Sequence, residues 1–193
     1  MYISIIDYGA GNVKSVQFAL ERLGYHGTLT ADAGEISHAD KVIFPGVGEA
    51  SSAMKILQSF GLDKLIPALK QPVLGICLGM QLMCTRSEEG DTGCLDIFPT
   101  ESLEFPNTLK VPHVGWNTLT HLKSPLFKQI EPMSYTYFVH SYYVPVTKYT
   151  VAQSHYGLPF SAALVKDNFY ACQFHPEKSS KTGEQILKNF LAL

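Results

Sequence analysis

The apolar run Val73-Leu74-Gly75-Ile76-Cys77-Leu78-Gly79-Met80 limits what this chain can fold into more than any other stretch. It is apolar throughout and does not alternate, so the strand within it is covered on both faces, like a central strand of a parallel sheet. It is far shorter than the roughly 18 apolar residues of a membrane span, and no longer run exists elsewhere. Its glycines flank a cysteine in the form G-x-nucleophile-x-G, placed where a strand turns into a helix. Such an elbow holds the central residue in a strained backbone conformation at the tip of a sheet, and the glycines remove Cβ atoms that would collide with strand and helix. The helix start then aims backbone N–H groups at the sulfur and favours the thiolate. A buried cysteine with incidental glycines fits the same five residues, and both readings stand at this point.

The flanking sequence agrees with a parallel sheet. Residues 2–7 and 41–44 read as buried strands, and residues 13–23 carry Val13, Val16, Ala19, Leu20 and Leu23 at helical spacing before Gly24. Ala53, Met54 and Leu57 mark a second helix and residues 63–69 a third, stopped by Pro72. Strand, loop and helix in alternation predict crossover connections. After residue 93 the texture changes to aromatic-rich segments separated by turn residues, with strands expected at 100–105, 111–119, 135–144, 150–155, 161–165 and 169–174. Ile186, Leu187, Phe190 and Leu191 give a terminal helix. The expected fold is an α/β sandwich with a central, mostly parallel sheet extended by antiparallel strands. Without repeat, linker or low-complexity tract, residues 1–193 read as one domain.

Composition narrows the function classes. With 15 Lys+Arg, 17 Asp+Glu and a formal net charge of -2, the chain has no footprint for nucleic acid. Met1 leads into a strand with no basic segment, so neither a secretory signal nor a membrane anchor is expected. Four cysteines, Cys77, Cys84, Cys94 and Cys172, are few for a disulfide scaffold and favour a reducing, cytoplasmic setting. No pair has the spacing of a zinc site, so no metal is expected. Cys84 reads as a core residue on the elbow helix, and Cys94 and Cys172 as loop and strand burial.

A cysteine nucleophile needs a base, usually a histidine oriented by a carboxylate. Among seven histidines, His175 follows a strand and precedes Pro176 and Glu177, so proline can bend the chain and bring carboxylate to imidazole. A surface turn holding His and Glu gives the same tripeptide. The loop Pro45-Gly46-Val47-Gly48 follows a strand expected beside the elbow, and its N–H groups can converge near Cys77 with that of Leu78. An ordinary strand-to-helix turn reads alike.

Gly75-Ile76-Cys77-Leu78-Gly79-Met80-Gln81 together with His175-Pro176-Glu177 resembles the class I, triad-type glutamine amidotransferases, whose fold is a flavodoxin-like three-layer sandwich. Ile6-Asp7-Tyr8-Gly9-Ala10-Gly11-Asn12, Pro45-Gly46-Val47-Gly48, Val111-Pro112-His113-Val114-Gly115-Trp116-Asn117 and Tyr137-Phe138-Val139-His140-Ser141-Tyr142 narrow the resemblance to the glutaminase subunits of imidazole glycerol phosphate synthase, over essentially the whole chain. The resemblance implies Cys77 as nucleophile, His175 as acid and base, and Glu177 as orienting carboxylate. It implies Val47 and Leu78 as oxyanion donors and Gly46, Gly48, Gln81, His140, Ser141 and Tyr142 as glutamine contacts. Asn12, Trp116 and Tyr137 would face a (β/α)8-barrel cyclase subunit, forming a heterodimer that consumes the ammonia. Apart from that resemblance, Trp116 reads as a core or hairpin residue. No cofactor is implied, because thiolate, imidazole and N–H donors supply the chemistry. The glycine-rich oxyanion loop makes peptide reorientation cheap, so its aim would depend on the partner's ligand. Alternatives are the amidotransferase subunit of pyridoxal phosphate synthase, a stand-alone hydrolase of γ-glutamyl or peptide bonds, and a non-catalytic binding module.

Overall fold

A computed structural model describes every residue except Ala10 and Gly11, so that part of the glycine loop after the first strand lies outside the described residues. The strands are β1 (Ile3–Ile6), β2 (Gly27–Thr30), β3 (Lys41–Gly46), β4 (Val73–Cys77), β5 (Cys84–Ser87), β6 (Thr92–Gly93), β7 (Phe98–Glu104), β8 (His113–Thr118), β9 (Tyr135–His140), β10 (Tyr142–Tyr143), β11 (Thr150–Tyr156), β12 (Leu158–Lys166) and β13 (Phe169–Cys172). The helices are α1 (Val13–Arg22), α2 (Ala33–His38), α3 (Ala50–Ser59), α4 (Leu62–Ala68), α5 (Leu78–Leu82) and α6 (Ser180–Leu191).

The central sheet has seven strands in the order β11-β12-β13-β4-β3-β1-β2. Strands β2, β1, β3, β4 and β13 run parallel, while β12 and β11 extend the edge antiparallel. Side chains alternate across it, as strand geometry requires. Ile3, Ile5, Ile43, Leu74 and Ile76 pack against Val16, Ala19 and Leu20 of α1 and Ile186, Leu187 and Phe190 of α6. Val42, Phe44 and Val73 face the other way, toward Ile36 of α2, Ala53 and Leu57 of α3, Leu62 and Ile66 of α4 and Leu82 of α5. The three-layer α/β sandwich expected from the sequence is the fold. A four-stranded sheet, β10-β7-β5-β6, and the β8-β9 ribbon flank it.

Several local expectations are corrected. The short, half-polar Gly-Thr-Leu-Thr strand β2 and the helix α2 were not legible, because β2 is defined by pairing with β1 and not by its own pattern. Helix α2 carries its own start signal, Asp32, whose carboxylate accepts from the Glu35 N–H at 2.9 Å. Strand β3 continues through Pro45 and Gly46 instead of ending at Phe44. Helix α5 is a single short turn, so Cys84 opens β5 and does not lie on the elbow helix. The segment 135–144 is two strands in two sheets: β9 pairs with β8, and β10 pairs with β7, with Ser141 between them. That change of sheet brings residues 139–142 to the tip of β4.

Candidate active site

Cys77 ends β4, opposite Gly46 of β3, and has φ 55° and ψ -109°. A residue with a side chain holds such a conformation only where its surroundings impose it, at a cost of about 1–3 kcal/mol. Both glycines of the elbow are accounted for by contact. A Cβ on Gly79 would lie 2.0 Å from the Phe44 carbonyl oxygen, and one on Gly75 would lie 2.8 Å from the Met83 sulfur. Strand, turn and helix therefore pack closely enough to fix the thiol at the sheet's carboxyl edge, where α5 begins.

The turn after β13 brings His175 to the same edge. Its Nδ1 donates to Glu177 Oε1 at 2.8 Å, and both side chains are buried. Main-chain bonds hold the turn: His175 N donates to the Tyr137 carbonyl at 2.9 Å, and the Ser179 hydroxyl donates to the His175 carbonyl at 2.6 Å. Burial of the ring opposes its charge, but the hydrogen bonds and charges of Cys77 and Glu177 outweigh that and raise His175 to about 10. The surroundings therefore favour the imidazolium form of His175. Burial pushes three thiols up, Cys94 to about 11 and Cys84 and Cys172 higher, which disfavours their thiolates.

A cleft of about 280 Å³ opens over the sulfur. Of the sequence-predicted residues it brings together Val47, Gly48, Cys77, Leu78, Gln81, His140, Ser141, Tyr142 and His175. Gly46 lies behind this wall, where a Cβ would meet the Tyr8 hydroxyl at 2.8 Å and Gly79 N at 3.0 Å. Gly48 has φ +102° with open space around it, so the loop at 47–48 depends on glycine for its backbone conformation and not for room. Glu177 stands behind His175 and is not part of the cleft lining.

Two expected substrate contacts are more committed than the sequence suggested. Gln81 donates from Nε2 to both the Tyr142 carbonyl at 3.1 Å and Gln173 Oε1 at 3.0 Å, leaving its own carbonyl oxygen for a ligand. His140 uses Nδ1 on the Tyr142 carbonyl at 2.7 Å and Nε2 on His113 Nδ1 at 3.0 Å, so it has no free ring nitrogen to offer. Four cleft residues were missed: Glu89, Pro112, Val139 and Lys178. Pro112 and Val139 lie inside recognised motifs and Lys178 adjoins one, whereas Glu89 lies in the turn before β6 and has no motif of its own. Its Oε2 accepts from the Ala50 N–H at 2.8 Å, and burial raises its pKa.

One rim of the cleft continues into an exposed apolar face. Trp116 and Tyr137 are directly paired across β8 and β9, their ring centroids 5.9 Å apart, and Val114 and Tyr135 flank them on the same side. Trp116 is 52% exposed and Tyr135 60%, so Trp116 is a surface residue and not a core one. Asn12, exposed at the start of α1, makes no side-chain cap bond. Among the described residues there is no cluster of metal-binding side chains, and no helix is long and apolar enough to cross a membrane.

Comparison with known proteins gives the same answer as the geometry. The glutamine amidotransferase class-I family matches residues 4–193. The chain is 57% identical over 196 residues to the imidazole glycerol phosphate synthase subunit HisH of Bacteroides fragilis, covering 100% of both chains. It is 47% identical over 207 residues to the subunit of the same name from Colwellia psychrerythraea, covering 98% of this chain and 92% of that one. Among solved structures, a GMP synthase subunit from Thermoplasma acidophilum superposes with a TM-score of 0.78 at 20% identity, covering 100% of this chain and 92% of the other. At that identity the likeness concerns the fold alone, which is that of the glutamine amidotransferases. The chain belongs to the class-I glutamine amidotransferase family and, within it, to the HisH subunits of imidazole glycerol phosphate synthase.

Proposed function

We propose that the chain folds as one domain, hydrolyses L-glutamine with Cys77, His175 and Glu177, and passes the ammonia to a cyclase subunit in a cytoplasmic heterodimer. The observation that carries this reading is the strained Cys77 facing a buried His175–Glu177 pair across one cleft. The Cys77 thiolate attacks the side-chain carbonyl carbon of glutamine. The N–H groups of Val47 and Leu78 stabilise the oxyanion. The His175 imidazolium then gives its proton to the amide nitrogen as the carbon–nitrogen bond breaks, releasing ammonia and a γ-glutamyl thioester. Water attacks the thioester, His175 takes one of its protons, and glutamate leaves as the thiolate is restored. No metal or organic cofactor enters the scheme.

Gly48, Ser141, Tyr142 and the free Gln81 oxygen form the binding wall, and the Glu89 carboxylate suits the substrate's α-ammonium group. Asn12, Trp116 and Tyr137 belong to the docking face for the cyclase, a (β/α)8 barrel that turns PRFAR and ammonia into imidazole glycerol phosphate and AICAR. An exposed apolar face continuous with the cleft rim supports this, because such a patch is rarely left bare. The positive φ of Gly48 supports a peptide at 47–48 that re-aims when the cyclase binds its nucleotide ligand.

Glutamine hydrolysis measured for the chain alone, with the cyclase, and with cyclase plus nucleotide ligand tests the whole reading. Stimulation at each addition, and abolition by Cys77→Ala in all three, is expected. Equal rates in all three would overturn the re-aiming step, and hydrolysis surviving Cys77→Ala would overturn the nucleophile.

A further inference from the structure

An unbroken file of hydrogen bonds, unused by the triad, runs from the β8 surface to the Cys77 sulfur. At its middle is the main-chain carbonyl of Tyr142, which can only accept. It accepts from Gln81 Nε2 at 3.1 Å and from His140 Nδ1 at 2.7 Å, and these two bonds fix the sense of all the others. Because Gln81 must present its NH2 group here, the same nitrogen donates to Gln173 Oε1 at 3.0 Å. Gln173 is thereby turned with its own NH2 toward Cys77 Sγ, at 3.7 Å. On the other arm, His140 carries its proton on Nδ1, so its Nε2 accepts from His113 Nδ1 at 3.0 Å. The His113 Nε2 then faces Asn117 Nδ2 at 3.4 Å.

Both imidazoles in this file are neutral. A charged ring at either position would set two N–H groups against each other, and burial lowers His113 to about 4 and His140 to about 3. Aromatic packing seals the pair: His113 stacks on Tyr156 with centroids 4.1 Å apart, and Phe105 lies 5.3 Å from His140.

Gln173 has 0% exposure, and the Cys77 sulfur is the only partner of its amide nitrogen among the described residues. A thiol is a poor acceptor for a buried amide, whereas a thiolate makes a charge-assisted bond. The burial of this N–H is therefore compensated fully only when Cys77 is ionised. Gln173 is the first residue after β13, in the turn that delivers His175, so one short segment brings both a base and a thiolate donor to the sulfur.

We propose that Gln173 is a catalytic residue, donating an N–H to the Cys77 thiolate and stabilising it before attack, and that Gln81, the Tyr142 carbonyl and the neutral His140–His113 pair are its positioning groups. The inference rests on Cys77 as nucleophile. It is distinct from oxyanion stabilisation, since it acts on the sulfur before substrate carbonyl charge develops. The other titratable groups facing this region are His175 with Glu177 behind it, His140 from β9, Tyr8 after β1, Cys172 on β13 and, around the cleft, Glu89, Tyr142 and Lys178.

The test is the pH dependence of Cys77 alkylation by iodoacetamide in the full chain, read by mass spectrometry of the Cys77 peptide. Gln173→Met, similar in shape but without donors, is expected to move the alkylation midpoint up by about one unit, equivalent to about 1.4 kcal/mol. Gln173→Glu moves it further, because a carboxylate then faces the sulfur. His113→Phe, which loosens the distant end of the file, moves it in the same direction by less. A folded Gln173→Met chain with an unchanged midpoint overturns the proposal. Should that variant not fold, Gln81→Leu, which frees the Gln173 carboxamide to turn over, carries the same test with the same overturning result. A wild-type Cys77 that shows no ionisation step, or Cys77→Ala that still hydrolyses glutamine, instead overturns the nucleophile reading on which this one rests.

Discussion

His175 and Glu177 illustrate how little of the site's chemistry depends on single residues in isolation. The Glu177 carboxylate spends one oxygen on His175 Nδ1, while Oε2 is buried with no partner among the described residues. Such a group is costly to bury, so it is kept for orientation and charge and not for stability. Glu177→Gln is therefore expected to lower glutamine hydrolysis by about 10²–10⁴-fold, with little loss of urea midpoint. The raised His175 pKa also has a sign. Its folded value, about 10, lies above the usual 6.5, so its stabilising charge is complete below about pH 6.5 and is lost as pH rises through about 10. Urea denaturation of wild type and His175→Gln across that window should show the stability gap narrowing toward alkaline pH. A constant gap would mean that the ring stabilises by packing alone. The sequence offered Cys77, His175 and Glu177 as candidates because each sits in a short motif. It gave no sign of Gln173, whose importance comes from what it touches.

Among the elements, α6 does more than fill the core. Its apolar stripe was legible as packing, and Ile186, Leu187 and Phe190 are fully buried against the sheet. The sequence did not reveal that the helix backbone also presses on the turn that carries His175 and Glu177. A Cβ on Gly183 would stand 1.9 Å from the Pro176 carbonyl oxygen, between His175 and Glu177. Gly183→Ala should cost about 1–3 kcal/mol in urea denaturation and also reduce glutaminase turnover, since the turn must move to admit a methyl group. Gly93→Ala is the matched control: nothing lies within 4 Å of its Cβ, and a change within about 0.5 kcal/mol is expected. The β9–β10 break shows the complementary limit. Residues 135–144 look like one aromatic strand, but Ser141 passes the chain from one sheet to another. Periodicity reports local pattern and not which partner strand accepts it.

For the whole molecule, the catalytic cleft and the apolar face of the β8-β9 ribbon form one continuous surface, with Val139 lining the cleft beside Tyr137 and Trp116. A large exposed ring paired with a second ring suits the centre of an interface. Trp116→Ala should weaken association with the cyclase subunit by about 2 kcal/mol in a calorimetric titration, while leaving the urea midpoint of the isolated chain unchanged. Unaltered affinity would move the docking face elsewhere.

The apolar run from Val73 to Met80 determined, by itself, a buried central strand ending in a cysteine elbow, because continuous apolarity demands cover on both faces and the two glycines permit close packing at the turn. The alternating strands and helices around it determined the three-layer sandwich for the same reason of period and burial. What only the tertiary structure decided was register, sheet membership and the sense of hydrogen bonds. Gly46 stands beside Cys77, Ser141 changes sheet, and the Tyr142 carbonyl orients Gln173 toward the sulfur. These relations join residues dozens of positions apart through backbone groups that every residue possesses, so side-chain identity along the chain does not encode them locally.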